Sequence, residues 1–372
     1  MKKMKKIMLT FGTRPEAIKM CPLINRLKLE KNIYVCVCVT GQHEQMLSQV
    51  LSTFNVEPDY NLHIMKENQD LFDVSINILK KMRDVLKKEK PDLVLVHGDT
   101  STTFNTALAC YYMKIPVGHV EAGLRTYNIY SPFPEEFNRQ SVGIIAELNF
   151  TPTKISADNL LREGKNPDSI FITGNTVIDA LRTTVQRAYE HEELIWAKDS
   201  RLILLTAHRR ENWGNPLRNI FKAIRRITEE YQDIKVIYPI HMNPIVRDIA
   251  YEVFDQNLRI HIIEPLDVID FHNFINQAYI IMTDSGGIQE EAPSLGKPVL
   301  VLRDTTERPE GVSAGTLRLV GTDEEFIYQN VKSLLDDKDT YSMMAQAVNP
   351  YGDGTSCDQI VKILIEWLGR RG

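Results

Sequence analysis

The sequence has no CxxC pair and no Cys/His spacing of the kind that holds zinc. Its five cysteines, Cys21, Cys36, Cys38, Cys110 and Cys357, are too few and odd in number for a disulfide framework. A reducing, cytoplasmic compartment is therefore expected. No apolar run approaches the ~20 residues of a membrane helix. The basic opening at 1–6 leads straight into a short strand-like run rather than a signal-peptide apolar region, so neither export nor a membrane span is expected. The formal net charge is only -5, which gives no general attraction to nucleic acid or anionic lipid. An anionic ligand would need a local cluster of positive charge. There is no GxGxxG and no GxxxxGK[ST], which excludes a dinucleotide fingerprint and a P-loop. Low-complexity segments and short repeats are also missing.

What remains is an ordinary globular composition, 43% hydrophobic and 25% charged over 372 residues, enough for two domains. Short apolar or β-branched runs at 7–11, 33–40, 93–97, 117–120 and 169–173 alternate with longer amphipathic segments. The rhythm restarts at 202–206 and continues through 235–238, 259–263, 279–283, 298–302 and 317–320. Such alternation marks βαβ units around a parallel sheet, so two doubly wound halves are expected. The expected domains are 1–174 and 175–355. The amphipathic segment 356–370, with Ile360, Ile363, Leu364 and Trp367 on one stripe, is expected to pack on the first.

Chemistry-bearing residues gather where strands are expected to end, the side of an open parallel sheet on which ligands bind. His97-Gly98-Asp99 and Glu121-Ala122-Gly123-Leu124-Arg125 each follow an apolar run, and Pro132-Phe133-Pro134 reads as a third strand end before Glu135-Glu136 and Arg139. Asp99, Glu121 and Glu135 thus stand at three junctions, where a proton-transfer role requires the fold to converge them. Metal binding is the rival use of such acids, but their spacing matches no metal signature. Gly12-Thr13-Arg14-Pro15-Glu16, with Lys19 one turn on, opens a helix and can attract an anion. Ser285-Gly286-Gly287 before Glu291 offers free N–H groups to a diphosphate. His208 ends another strand beside Arg209 and Arg210, and Arg308 sits in a charged loop. Taken singly, each also reads as a turn with solvated charges.

In combination and in order, these motifs resemble those of the bacterial and archaeal non-hydrolysing UDP-N-acetylglucosamine 2-epimerases, from the first strand to about Gly321. The resemblance implies an α/β fold of two Rossmann-like domains whose parallel sheets face a central cleft, the glycosyltransferase-B architecture. It implies interconversion of UDP-N-acetylglucosamine and UDP-N-acetylmannosamine for surface polysaccharide. The route is elimination of UDP to a 2-acetamidoglucal followed by re-addition, with no cofactor and no metal. By motif match, Asp99, Glu121 and Glu135 are the acid/base residues, Arg139 their partner and His208 a diphosphate contact; which acid serves which face stays open. Arg14, Lys19, Phe271, Ser285, Gly286, Gly287, Glu291 and Arg308 would hold UDP. Many bacterial relatives also bind UDP-N-acetylglucosamine as an activator at a second site, matched here by Gln42, His43, Gln45, Gln69, Arg209 and His241, although Asn68 replaces a basic residue. Leu266 likewise replaces a polar residue near the base. A homodimer is implied. The rivals are a glycosyltransferase of the same architecture, a non-catalytic UDP-sugar-binding regulator and a hydrolysing epimerase.

Overall fold

The computed structural model describes residues 4–41, 44–66 and 69–371. Gln42, His43 and Asn68 lie outside the described residues, as does the side chain of Gln45. The chain divides into two compact units, Met1–Arg182 with Tyr351–Gly372, and Thr183–Pro350.

The first unit holds a parallel sheet of seven strands: β1 (Lys5–Phe11), β2 (Ile33–Val39), β3 (Tyr60–Asn61), β4 (Leu93–His97), β5 (Val117–Val120), β6 (Leu148–Thr151) and β7 (Ile170–Ile172). Their order is β3-β2-β1-β4-β5-β6-β7. Every residue of β4, β5 and β6 is buried, which is why these strands read as continuous runs rather than alternating ones. The order reverses between β1 and β4, and a doubly wound sheet opens its ligand crevice beyond the carboxyl ends of the strands at such a reversal. Phe11 and His97 end those two strands.

The second unit holds a six-stranded parallel sheet: β8 (Arg201–Thr206), β9 (Ile234–Pro239), β10 (Ile260–Ile263), β11 (Ile280–Thr283), β12 (Val299–Val301) and β13 (Leu317–Leu319). Its order, β10-β9-β8-β11-β12-β13, reverses between β8 and β11. The matching crevice therefore lies beyond Thr206 and Thr283, whose hydroxyls are 2.6 Å apart.

One expected strand end is corrected. Pro132-Phe133-Pro134 lies in a loop, because two residues without an N–H cannot join a ladder. Glu135 instead opens the helix Glu135–Ile145 directly. The last helix, Ser356–Arg370, packs on the helix Arg14–Lys28 of the same unit. Its buried stripe is Ile360, Val361, Leu364 and Leu368, turned from the expected one, and Asp179 caps it by accepting from Cys357 N at 2.9 Å and Ser356 N at 3.2 Å. All five cysteines are free and buried. Among the described residues, no helix is long and apolar enough to cross a membrane.

Candidate active site

At the first crevice, Thr13 and Glu16 form a capping box that starts the helix Arg14–Lys28. Glu16 is buried and does more than cap. Its Oε2 accepts from Gly12 N at 3.0 Å and from Thr13 N at 2.8 Å, while Oε1 accepts from Thr100 Oγ1 at 2.8 Å and Thr103 Oγ1 at 3.2 Å. The β1 turn is thereby bolted to the β4 turn. Gly12 is required for this approach, since a Cβ there would lie 2.1 Å from Thr40 Oγ1 and 2.5 Å from Thr102 Oγ1. Arg14 stands partly buried on the first helical turn. Lys19 reaches across to pair with Glu121.

The β4 and β5 turns carry the acids. Asp99 Oδ2 accepts from Arg139 Nη2 at 2.5 Å, and its carbonyl accepts from Asn138 Nδ2 at 2.8 Å. Arg139 Nη1 also lies 3.4 Å from Glu136 Oε2. Glu136 is buried and accepts from Thr126 N and Tyr127 N, each at 3.0 Å, which fixes the loop leading into Glu135. Glu121 sits at φ +61°, a left-handed conformation costing a non-glycine residue about 1 kcal/mol or more. Lys19 holds its carboxylate, and Asn175 Nδ2 donates to it at 2.8 Å. Gly123, two residues on at φ +88°, leaves room for Ser156 O, which a Cβ would meet at 2.2 Å.

These acids share one electrostatic neighbourhood. Burial pushes the Asp99 carboxyl above its ordinary range, the Arg139 guanidinium opposes this, and the fields of Glu121 and Glu135 raise it further. The structure thus brings Asp99, Glu121, Glu135 and Arg139 together. Arg125, by contrast, is committed to Glu163 through two hydrogen bonds of 2.6 and 2.8 Å. Two histidines lie beneath the acids. Burial holds His97 down to about 4 and His119 down to about 3, so both are neutral at pH 7. His119 Nε2 is 2.7 Å from Gly98 O.

At the second crevice the organising residue is Asp284, fully buried just past β11. Its Oδ2 accepts from His208 N and Arg209 N, each at 2.8 Å, and from Asn212 Nδ2 at 3.1 Å. Its Oδ1 lies 3.2 Å from His208 Nδ1 without hydrogen-bond geometry, so the carboxylate faces that side of the ring as a charge and Nε2 is on the other side. Burial pushes the His208 imidazole down, the Asp284 carboxylate opposes this, and His241 and Arg209 lower it further. The His208 and His241 rings stack at 5.5 Å.

The Ser285-Gly286-Gly287 turn leads into the short helix Ile288–Ser294. Ser285 N is spent on Thr283 Oγ1 at 2.9 Å, so Gly286 and Gly287 carry the turn's remaining donors. A Cβ at Gly286 would lie 3.9 Å from Arg308 Nη2 and 4.0 Å from Arg209 Nη2, so two guanidinium groups converge on that glycine. Arg308 is steered there by Glu290, to which its Nε donates. Glu291 lies one turn along, with Oε2 3.6 Å from the buried His272 Nε2. Phe271 and Leu266 lie against the apolar core under this crevice.

Of the residues matched to an activator site, Gln69 spends its amide locally, accepting from Lys66 N at 2.8 Å and donating to Ile64 O at 2.9 Å. Arg209 stands with Arg308, and His241 stands with His208. Asp284, Asn175 and His97 had no role from sequence. Asp284 follows a strand and was visible there, but Asn175 lies more than fifty residues from the acid it supports and gave no signal. Among the described residues, no group of three or more His, Cys, Asp or Glu is arranged to hold a metal.

Known proteins share both the sequence and the fold. The family model for UDP-N-acetylglucosamine 2-epimerase matches residues 25–365. The chain is 60% identical over 371 residues to the UDP-N-acetylglucosamine 2-epimerase of Bacillus subtilis, covering 100% of this chain and 97% of the relative. It is 49% identical to the enzyme of that name from Campylobacter jejuni, covering 97% and 98%. A crystal structure of the Neisseria meningitidis UDP-GlcNAc 2-epimerase bound to UDP-GlcNAc superposes with a TM-score of 0.88 at 47% identity, covering 97% of this chain and 100% of that one. Two parallel sheets with clustered, part-buried carboxylates past the strand ends of one and converging arginines past those of the other thus sit in a chain that belongs to the UDP-N-acetylglucosamine 2-epimerase family.

Proposed function

We propose that this protein is a non-hydrolysing epimerase that inverts C2 of UDP-N-acetylglucosamine to give UDP-N-acetylmannosamine, reversibly, in the cytoplasm, as a precursor for surface polysaccharide. The C2 proton is removed as the C1–O bond to the diphosphate breaks, giving UDP and 2-acetamidoglucal. A proton then reaches C2 from the opposite face while a phosphate oxygen re-forms the bond to C1. No electrons are exchanged with a cofactor. The observation that carries this reading is the shared field of Asp99, Glu121 and Glu135 at one sheet reversal. Abstraction from a weakly acidic carbon and redelivery to the other face need more than one positioned acid or base.

In this reading Asp99, Glu121 and Glu135 move the proton, and Arg139 favours the ionised form of Asp99 against burial and the neighbouring acids. His208 takes up a proton as the anionic diphosphate binds, supported by the Asp284 carboxylate, and donates Nε2–H to a phosphate oxygen, while Arg209, Arg308 and the Gly286-Gly287 donors offset the diphosphate charge as it builds on the leaving group. Glu291 accepts from the ribose. Arg14 and Lys19 supply further positive charge, and Phe271 lies by the uracil. A homodimer and an activating second UDP-N-acetylglucosamine are the assembly and control that accompany it, with Gln42, His43, Gln45, Gln69, Arg209 and His241 as the second site.

The test is incubation with UDP-N-acetylglucosamine in deuterated water, followed by NMR. Deuterium at C2 of UDP-N-acetylmannosamine is expected. Substrate left unchanged would refute the reading, and accumulation of free N-acetylmannosamine with UDP would make the enzyme a hydrolysing one.

A further inference from the structure

His97 ends β4 directly behind the acids, yet the chemistry above gives it nothing to do. It is 3% exposed, and neither ring nitrogen has a hydrogen-bond partner among the described residues. Its Nε2 points toward Glu121, at 3.8 Å from Oε2. Buried polar groups are nearly always satisfied, so an imidazole left open beside a reactive carboxylate calls for an explanation. Of the buried groups nearby, Glu16 is fully engaged and His119 bonds through Nε2, whereas His97 is left open at both ring nitrogens.

Glu121 is faced by Lys19 from the first helix, by Asn175, by Asp99 across the β4 turn and by His97 and His119 from the strands beneath. Lys19 and Asn175 both occupy Oε2. A carboxylate locked onto an ammonium is a weak base, so proton transfer requires Glu121 to leave Lys19 when an anionic substrate draws that cation. Among the described residues His97 is an unspent donor close to that carboxylate, and closing 3.8 Å to hydrogen-bond length takes only a small rotation. Because burial keeps the imidazole neutral, it can donate one N–H without adding a charge that would quench the base.

Resting on the reading that Glu121 transfers a proton, we infer that His97 is a positioning residue whose Nε2–H receives the Glu121 carboxylate once Lys19 releases it and holds it in its reactive pose. His97→Phe keeps the ring shape and removes the donor, while His97→Gln restores a donor near the Nε2 position. C2 deuterium incorporation by the unaltered protein is measured first; its absence would sink the epimerase reading itself, independently of His97. Given that exchange, H97F is expected to lower kcat roughly 10- to 100-fold, the scale of one lost hydrogen bond to a charged group. KM should change by less than about threefold. The acidic limb of the kcat–pH profile should move upward, since a carboxylate deprived of a donor binds its proton more tightly. H97Q should recover most of the rate and return the limb. Wild-type kcat in H97F would overturn the inference, as would an equal loss in H97F and H97Q with the limb unmoved. Should H97F fail to fold, H97Q and H97N carry the same test, because Asn places its amide near Nδ1 instead. Only H97Q should then remain active, and equal activity in the two would refute the role.

Discussion

Arg139 joins two carboxylates of different kinds: Nη2 lies 2.5 Å from the part-exposed Asp99, and Nη1 lies 3.4 Å from the fully buried Glu136. One guanidinium therefore fixes both the reactive acid and the loop anchor. Its removal should leave Asp99 opposed only by burial and by Glu121 and Glu135, all of which favour the protonated form. Arg139→Met is expected to move a limb of the pH–rate profile upward and to lower kcat at pH 7 by about 10²-fold or more. Arg139→Lys should recover little, because one ammonium nitrogen cannot occupy the separate positions from which Nη2 and Nη1 meet the two carboxylates. An unshifted profile in R139M would show that Asp99 does not titrate in the reaction.

Asp284 faces His208 Nδ1 and its charge favours the imidazolium, so Asp284→Asn should withdraw that support and disfavour the protonated form. A fall in kcat of about 10²-fold is expected, together with a loss of about 1–3 kcal/mol of stability from the disturbed buried acceptor. Isothermal titration with UDP should show weaker binding, because the same carboxylate holds the His208 and Arg209 backbone. Unchanged kcat would remove His208 from the chemistry.

Arg209 and Arg308 approach the same glycine, and each should contribute a charge-assisted contact to a bound diphosphate. Arg209→Met and Arg308→Met are each expected to weaken UDP binding by roughly 10- to 100-fold. If R209M alters only the activation curve and leaves UDP affinity intact, Arg209 belongs to a second site.

Gly123→Ala should be among the most damaging single-methyl additions in the chain. The Cβ would meet backbone at 2.2 Å, and the φ of +88° is unfavourable in itself. A loss of more than about 2 kcal/mol is expected. Gly315→Ala, at φ +79° with nothing within 4 Å, should cost only about 1 kcal/mol. Urea unfolding of the two variants measures the difference, and equal costs would contradict the close approach at Ser156.

The two buried neutral histidines make stability fall with acid. Unfolded imidazoles bind protons below about 6.5, whereas burial holds His97 down to about 4 and His119 down to about 3. In that window the unfolded chain carries more protons, so stability rises with pH: the contribution is complete above about 6.5 and drains as the pH falls toward the folded values. Each histidine accounts for a few kcal/mol at most, on the order of 1.4 kcal/mol for every tenfold loss of proton affinity on folding. His119→Gln should flatten the urea midpoint between pH 7 and pH 4.5, and an unchanged slope would mean that His119 is charged in the folded protein.

The sheets were legible because buried parallel strands need unbroken apolar runs, and β4 and β5 coincide with the runs read from sequence. β3 and β6 were not, since two residues make no pattern and Asn149 interrupts the other. The prolines before Glu135 mimicked a strand end only by position. At the site, loop chemistry marked Asp99, Glu121 and Ser285, whereas the pairing of Lys19 with Glu121 spans 102 positions and follows from the sheet order alone. Asn175 and Asp284 act through partners that only the folded chain brings near.

The chain leaves the first unit and comes back at almost the same place. Asn175 N bonds Tyr351 O at 2.7 Å, and Arg182 Nη2 lies 3.4 Å from Asp353 O. Along the chain the second unit is therefore an insert between two segments of the first. A short splice from 182 to 351 would restore an unbroken reading of the carboxylate unit, final helix included, whereas truncation after 182 would strip that helix away.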